Sequence, residues 1–434
     1  MAIVSLKVHN PAVRAKFLWA ACLLAAATTA LAAEPFVDDA KAGVALRSMW
    51  FDRELPNGKA QETWAAGAGL WGRTGYWRDM FSLGARLYGE LPLYAPETKD
   101  GGLLLKPGQK GYSVLGEAWG KLKFADQVFT FYRQPIGANP QKAEGVRSLQ
   151  VDMNYLGSRD IRMVPLTYEA AMLNGPIGGS LSYQFGYVDK VKDINSDKFV
   201  SMSRLAGVTT KDTGLWNGGL QWNPLKDLWV QGFYYRIEDV IRIGYTDFDW
   251  VSRIDKESYW RVAAQYSDQR SDGANLLTGK SFKSWNGGLY GEYGWKWLRL
   301  YGAASSTGSG QAMRSPFSFG PFYIAQRIKT FNRAGEDALL AGTSFDFGKL
   351  GLLQGFSIDL NISDGRHAID AATRAALPKW REYDTDFIYA FQKDSPLAGA
   401  RVRLRWAAVN EDFGTRVDRT TDTRLDFNWG VNFN

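Results

Sequence analysis

Arg401-Val402-Arg403-Leu404-Arg405-Trp406 sets three guanidinium groups on one side of an extended segment and three apolar side chains on the other, because successive side chains on a strand point to opposite faces. Guanidiniums two residues apart stand about 6 to 7 Å apart along the strand, inside the Debye length of about 8 Å at physiological salt. They repel one another and need water, carboxylates or anionic ligands close by. The chemistry open to such a row is recognition, since a planar fork binds a carboxylate through two parallel hydrogen bonds and can hand it to the next fork. Either the row is a ladder for passing anions, or each arginine is paired with Asp or Glu from a neighbouring strand or an inward-folded loop. The two arrangements can share residues.

Covalent chemistry finds little support. Beyond residue 32 the chain has no cysteine and one histidine, His367, in the turn-like Asp364-Gly365-Arg366-His367, where exposure is expected rather than a role. Disulfide scaffolds, thiolate chemistry, two-histidine zinc motifs and a His-based triad are excluded. Glu238-Asp239 and Glu411-Asp412 are adjacent acids; neighbours on a strand face opposite ways, so neither pair makes an acid and nucleophile couple. Gly308-Ser309-Gly310 lacks the strand-to-helix setting and terminal lysine of a phosphate loop and reads as a flexible tip. No enzyme, no metal and no cofactor is expected.

The elements that must hold the arginine row begin with an export signal. Lys7, Arg14 and Lys16 precede an uncharged run from Phe17 to Ala32 that ends in Ala30-Leu31-Ala32, so residues 1–32 read as a secretory signal peptide. Cys22 and His9 leave with it, and Trp19 stands where a lipoprotein signal needs a small aliphatic residue. The cut takes three positive charges from the formal +7 and leaves +4, too weak for a polyanion binder. Acids interspersed among the basic residues, together with export, argue against nucleic acid. After residue 32 no stretch approaches 18 apolar residues, so no transmembrane helix follows.

What recurs instead is period-two alternation in segments of about ten residues. Leu425, Phe427, Trp429, Val431 and Phe433 alternate with Arg424, Asp426, Asn428, Gly430 and Asn432. The same pattern runs through Ser180 to Tyr187, Trp260 to Ser267, Leu298 to Tyr301, and Phe356 to Ser363. The 17 Trp, 20 Tyr and 24 Phe include many at strand ends, such as Trp216, Trp222, Trp229, Trp285, Trp295, Trp297, Trp380 and Trp429, as the girdles of a membrane barrel require. A soluble sandwich core would use more Ile, Val and Leu. An arginine facing lipid at mid-bilayer costs about 2 to 4 kcal/mol, so three cost roughly 6 to 12 kcal/mol, comparable with a whole domain's stability. The row must face a wet interior. The fold expected for residues 33–434 is all-β: one transmembrane antiparallel β-barrel, with roughly 22 residues per strand and its share of loop giving on the order of 18 strands. Asn223 to Asp227 and Gly348 to Gly351 read as tight turns, Ser267 to Ser281 and Ala304 to Ser315 as external loops.

Several segments carry a family likeness: Phe36-Val37-Asp38-Asp39 leading to Trp50-Phe51-Asp52-Arg53, then Trp119-Gly120-Lys121-Leu122-Lys123, Arg133-Gln134 and the stretch from Asp160 to Glu169. Phe331-Asn332-Arg333-Ala334-Gly335-Glu336, the stretch from Ser344 to Leu352, Arg403-Leu404-Arg405 and Arg424-Leu425 add to it. Through these the chain resembles the OprD family of bacterial outer-membrane porins over nearly all of residues 33–434. The resemblance implies an 18-stranded barrel in the outer membrane of a Gram-negative bacterium, narrowed by an inward-folded constriction loop, here about residues 134–165. It implies passive diffusion of small water-soluble solutes, often carboxylate-bearing (amino acids, aromatic or other organic acids), along wall arginines. By this likeness Arg403, Arg405 and Arg424 are wall residues, and Arg133 and Arg162 lie at or near the constriction; alternation adds Arg401 and Arg299.

The partners expected are small-molecule solutes, outer-membrane lipid and the barrel-assembly machinery, with a monomer and a trimer both open. The sequence departs from the family in a longer stretch between Gln134 and Arg162, which implies a rebuilt constriction loop, and in Ala170 for a frequent Gly. Asn434 follows the usual final aromatic residue, and Asp359 and Asn361 stand where members often carry basic residues. The ladder is then expected to be shortened or interrupted, with Asp359 and Asp386 guiding an ammonium group or balancing the wall charge. A general diffusion pore, an oligosaccharide-preferring porin and a secreted carbohydrate-binding or hydrolytic β protein are the alternatives.

Overall fold

Period-two alternation closes into a barrel. The computed structural model describes residues 35–137, 155–317 and 319–433; the expected signal segment, part of the expected constriction region and Asn434 lie outside the described residues. The strands are β1 (Lys41–Glu54), β2 (Ala60–Arg73), β3 (Phe81–Tyr94), β4 (Tyr112–Phe124), β5 (Gln127–Gln134), β6 (Thr167–Ile177), β7 (Leu181–Lys192), β8 (Phe199–Ser201), β9 (Leu215–Trp222) and β10 (Leu228–Ile237). They continue as β11 (Ile241–Arg253), β12 (Ser258–Ser271), β13 (Lys283–Trp295), β14 (Leu298–Thr307), β15 (Asp337–Asp346), β16 (Phe356–Arg366), β17 (Lys379–Ala390), β18 (Arg401–Asp412) and β19 (Val417–Phe433). Chain neighbours pair antiparallel, β7 passes to β9, and β19 returns to β1 from Ala42↔Phe433 to Glu54↔Thr421. The result is a closed ring of 18 strands, with β8 added at the end of β7. No described helix is long and apolar enough to cross a membrane.

Connection lengths differ between the two ends. Residues 125–126, 178–180, 223–227 and 296–297 turn tightly at one end, while 95–111, 193–214 and 367–378, with the described parts of the connections after β5 and β14, lie at the other. Outer-membrane barrels have short periplasmic turns and long extracellular loops, so the long connections mark the cell exterior. The outer wall is apolar: Leu220, Leu289, Leu300, Leu360 and Leu425 are exposed along it, with Trp216 and Trp285 near one rim and Trp222 and Trp295 near the other.

Two sequence expectations change here. Trp229 and Trp380 belong to the inner face rather than a girdle; Trp380 stacks under Arg333 at 3.4 Å and donates to Glu411. β14 extends to Thr307, so Ala304 to Thr307 are strand rather than loop; the connection that follows keeps Ser309, Gly310, Ala312 and Ser315 exposed but buries Phe317, Phe322, Tyr323, Ile324 and Phe331 inside the ring. Gly308 is tied down by its N–H to the carbonyl of Trp285, so it is no free tip.

Inserted segments pack against the inner wall in three clusters. Tyr155, Leu156, Phe317 and Phe322 pack on Tyr168, Tyr235 and Tyr245. Leu104, Leu105, Met163 and Val164 pack on Met49, Phe51 and Tyr88, and Tyr323, Ile324 and Phe331 on Tyr290 and Tyr301. Burying such side chains is worth roughly 1.5 to 3 kcal/mol each, enough to pull a long connection into the barrel. β16 to β19 contribute no buried residue to these clusters. Their inner face is left for polar groups, and β1 beside them mixes Met49 and Phe51 with Arg47 and Arg53.

Candidate functional site

Alternation on β18 turns Arg401, Arg403 and Arg405 inward and Leu404, 40% exposed, outward. Register then chooses their neighbours: Arg405 lies across from Arg424 on one side and Asp386 on the other, and Arg403 lies across from Asp426. On β1, Arg53 faces Asp422 and Phe51 faces Arg424. Asp422 accepts from Arg53 and from Arg424, each at 2.7 Å, Asp426 from Arg403 at 2.9 Å, and Asp386 from Arg405 at 3.3 Å.

The inserted segments bring two more cations to this wall. Arg327 donates from Nη2 to Asp386 at 2.5 Å and lies 3.8 Å from Asp384, while its Nε and Nη1 are buried without a hydrogen-bond partner. Arg162 donates to the carbonyls of Gly102 at 3.0 Å and Ile161 at 3.1 Å. It forms no ion pair with a described carboxylate. Burial first, and then the nearby Arg424 charge, push the Arg162 guanidinium down to about 9. Arg47 pins this segment to β1 by gripping both oxygens of Asp160 and the carbonyl of Arg162. Phe51, 1% exposed, has three guanidiniums around its ring: Arg424 at 5.2 Å, Arg53 at 5.4 Å and Arg162 at 5.8 Å from the centroid. Such contacts stabilise a desolvated cation without a counter-charge.

In this cluster Arg47, Arg53, Arg162, Arg327, Arg403, Arg405 and Arg424 outnumber Asp160, Asp384, Asp386, Asp422 and Asp426, leaving positive charge in excess. Toward the short-turn end a cavity of about 460 Å³ follows, where Arg401 joins Arg47, Arg86 and Tyr88 above the small residues Gly67, Gly69 and Gly430. The Nε of Arg86 is buried there without a hydrogen-bond partner.

The remaining sequence candidates lie apart. Arg299 and Asp359 hold each other at 2.7 Å, with Glu292 at 3.4 Å from Arg299 and the Tyr301 hydroxyl on Asp359. Asp359 lies across from Asp386 but is turned to this second network. Arg133 follows Tyr132, whose φ is 73°, and binds Glu169 at 3.0 Å, the Leu115 carbonyl and the face of Phe199 at 4.1 Å, outside the arginine cluster. Glu411 holds Lys329 at 2.7 Å, and Lys211 lies 2.6 Å from Asp239 and 4.0 Å from Glu238, so these acids serve as ion-pair partners of lysines. His367 is exposed and bonded to Asp337 at 2.9 Å. No group of metal-binding side chains occurs among the described residues.

Sequence reading missed Arg47, Arg53, Phe51, Arg86 and Arg327. The even spacing of Arg47, Phe51 and Arg53 on one face of β1 was available as a signal. For Arg327 the signal was the aromatic-rich Phe317 to Phe331 stretch, too greasy for an external loop.

A sequence profile described as outer membrane porin, OprD family, matches residues 146–432. No curated protein sequence matches the chain. Among solved structures it is similar to Pseudomonas aeruginosa OccK9 (OpdG), with TM-score 0.78 at 20% identity over 92% of this chain and 100% of that one. It is also similar to Pseudomonas aeruginosa OpdK with vanillate, at TM-score 0.77 and 20% identity over the same shares. Acinetobacter baumannii OccAB1 superimposes at TM-score 0.79 and 14% identity, over 93% of this chain and 99% of that one.

Proposed function

The chain belongs to the OprD family of outer membrane porins, and from that premise we propose that it favours small solutes bearing a carboxylate, drawn by the guanidinium excess of its passage. It is a channel of the outer membrane and not an enzyme. What carries the preference is the state of Arg162 and Arg327: one is bonded only to carbonyls, the other has two buried donors without acceptors. A buried unmet donor costs about 1 to 3 kcal/mol, more when charged, and a carboxylate that reaches either fork offsets that cost.

The wall arginines act as relays. Asp422 is shared by Arg53 and Arg424, and Asp386 by Arg327 and Arg405, so an incoming carboxylate can replace a shared acid at one fork while the other stays paired. Exchange of that kind lets a site attract without trapping. Arg401, Arg47 and Arg86 in the cavity beyond receive the solute on its way to the periplasm.

The test is planar-bilayer recording and vesicle swelling with the Arg403→Ala/Arg405→Ala variant. Anion preference and entry of amino acids and aromatic acids should fall several-fold, with entry of a neutral sugar unchanged. Equal losses for acids and sugar, or unchanged currents, would return the protein to a general diffusion pore.

A further inference from the structure

The outer wall carries a charged feature that conduction does not use. Arg236 of β10, Arg242 of β11, Arg270 of β12 and Lys283 of β13 follow one another in register, each directly across from the next. The residues flanking them, such as Ile237, Ile241, Ile243, Gln269 and Ser284, are buried, so all four cations project outward and are exposed. With strands about 4.8 Å apart, the row runs about 14 Å around the barrel.

Aromatic residues fix its height. Trp216 lies across from Arg236, Trp285 stands two residues from Lys283 toward the short-turn end, and Tyr234 and Tyr266 stand on the same exposed face. Trp and Tyr settle at the headgroup level of a bilayer. The long connections adjoin this rim, so the row meets the outer leaflet at the depth of its headgroups.

The sign of the row is local. Arg270 reaches Asp268 at 2.6 Å and Arg236 reaches Asp272 at 3.1 Å, but Arg242 and Lys283 have no carboxylate within ion-pair distance among the described residues. At the same level of β16 and β17, Arg366 and Arg381 both bind Asp364, so each cation there has a carboxylate partner. Like charges directly opposite on a sheet are destabilising, and a row of them at a lipid boundary fits an anionic partner better than it fits the barrel alone. Arginine forks suit phosphate geometry.

We propose that this row binds the phosphate groups of an anionic lipid of the outer leaflet, with Arg242 and Lys283 as the principal contacts. The full-length protein in neutral detergent is titrated with bis-phosphorylated lipid A and, separately, with its dephosphorylated form, and bound lipid is counted by native mass spectrometry. The phosphorylated lipid should bind more tightly. Each basic residue near a charged lipid surface is worth about a fivefold change in affinity, so Arg242→Gln/Lys283→Gln should weaken binding about 25-fold. Arg242→Lys/Lys283→Arg should restore it, and Arg366→Gln should leave it unchanged. Equal affinity for the two lipids would overturn the proposal, as would undiminished binding by a double Gln variant that still migrates as a folded barrel before boiling.

Discussion

Replacing Asp386 by Asn removes one negative charge from the passage at nearly constant volume. Asp386 takes Arg327 at 2.5 Å and Arg405 at 3.3 Å, so the variant leaves two guanidiniums with one carboxylate fewer between them. An ion passing about 5 Å from that position in water gains or loses about 0.8 kcal/mol per elementary charge. Physiological salt removes about half of this, which leaves a factor of about two to four in relative occupancy. The ratio of anion to cation permeability, read as the reversal potential across a planar bilayer in a KCl gradient, should therefore rise two- to fourfold in Asp386→Asn. It should fall by the same factor in Arg405→Gln, and the double variant should lie near the starting value. Asp384 stays 3.8 Å from Arg327 and keeps the inserted segment in place, so single-channel conductance should change little. If the two single variants shift the reversal potential in the same direction, fixed charge at this point does not select ions and the reasoning fails.

Two further outcomes concern stability. Glu336 is fully buried and holds the Arg333 guanidinium at 2.6 Å and its backbone N–H at 2.9 Å; Glu336→Ala strands a buried cation, costs about 3 to 5 kcal/mol, and should lower the temperature of the gel-mobility shift on heating. Leu404→Arg, between two inward arginines but on the lipid side, should cost about 2 to 4 kcal/mol in denaturant-driven folding into bilayers. An indistinguishable midpoint would mean that face does not meet hydrocarbon.

The barrel was legible because one physical demand repeats along the chain. Where one face meets hydrocarbon and the other water, side chains must alternate, as Leu425 to Phe433 against Arg424 to Asn432 do. Strand pairing was less legible, since register depends on turn lengths: that Arg403 meets Asp426 and Arg405 meets Arg424 follows from how β18 and β19 are joined, and no single segment contains it. The contribution of residues 308–336 was hidden for another reason. A Gly-rich start, Gly308-Ser309-Gly310, suggested a solvated loop, whereas the burial of Phe317, Phe322 and Phe331 shows that apolar surface outweighed it. Local likeness alone places Arg133 near the constriction, whereas its contacts are with Glu169 and Phe199, which arrive from later in the chain.

Phe51 gives the channel a property that carboxylates alone could not. A benzene face steadies a guanidinium through its quadrupole and leaves every N–H of that fork free to point elsewhere. Arg53 and Arg424 already share Asp422 and Arg162 is held by carbonyls, so the ring adds a contact to all three cations without adding a further negative charge beside them. A hydrocarbon cushion thus lets three like charges gather around one ring while the net positive sign of this wall is kept.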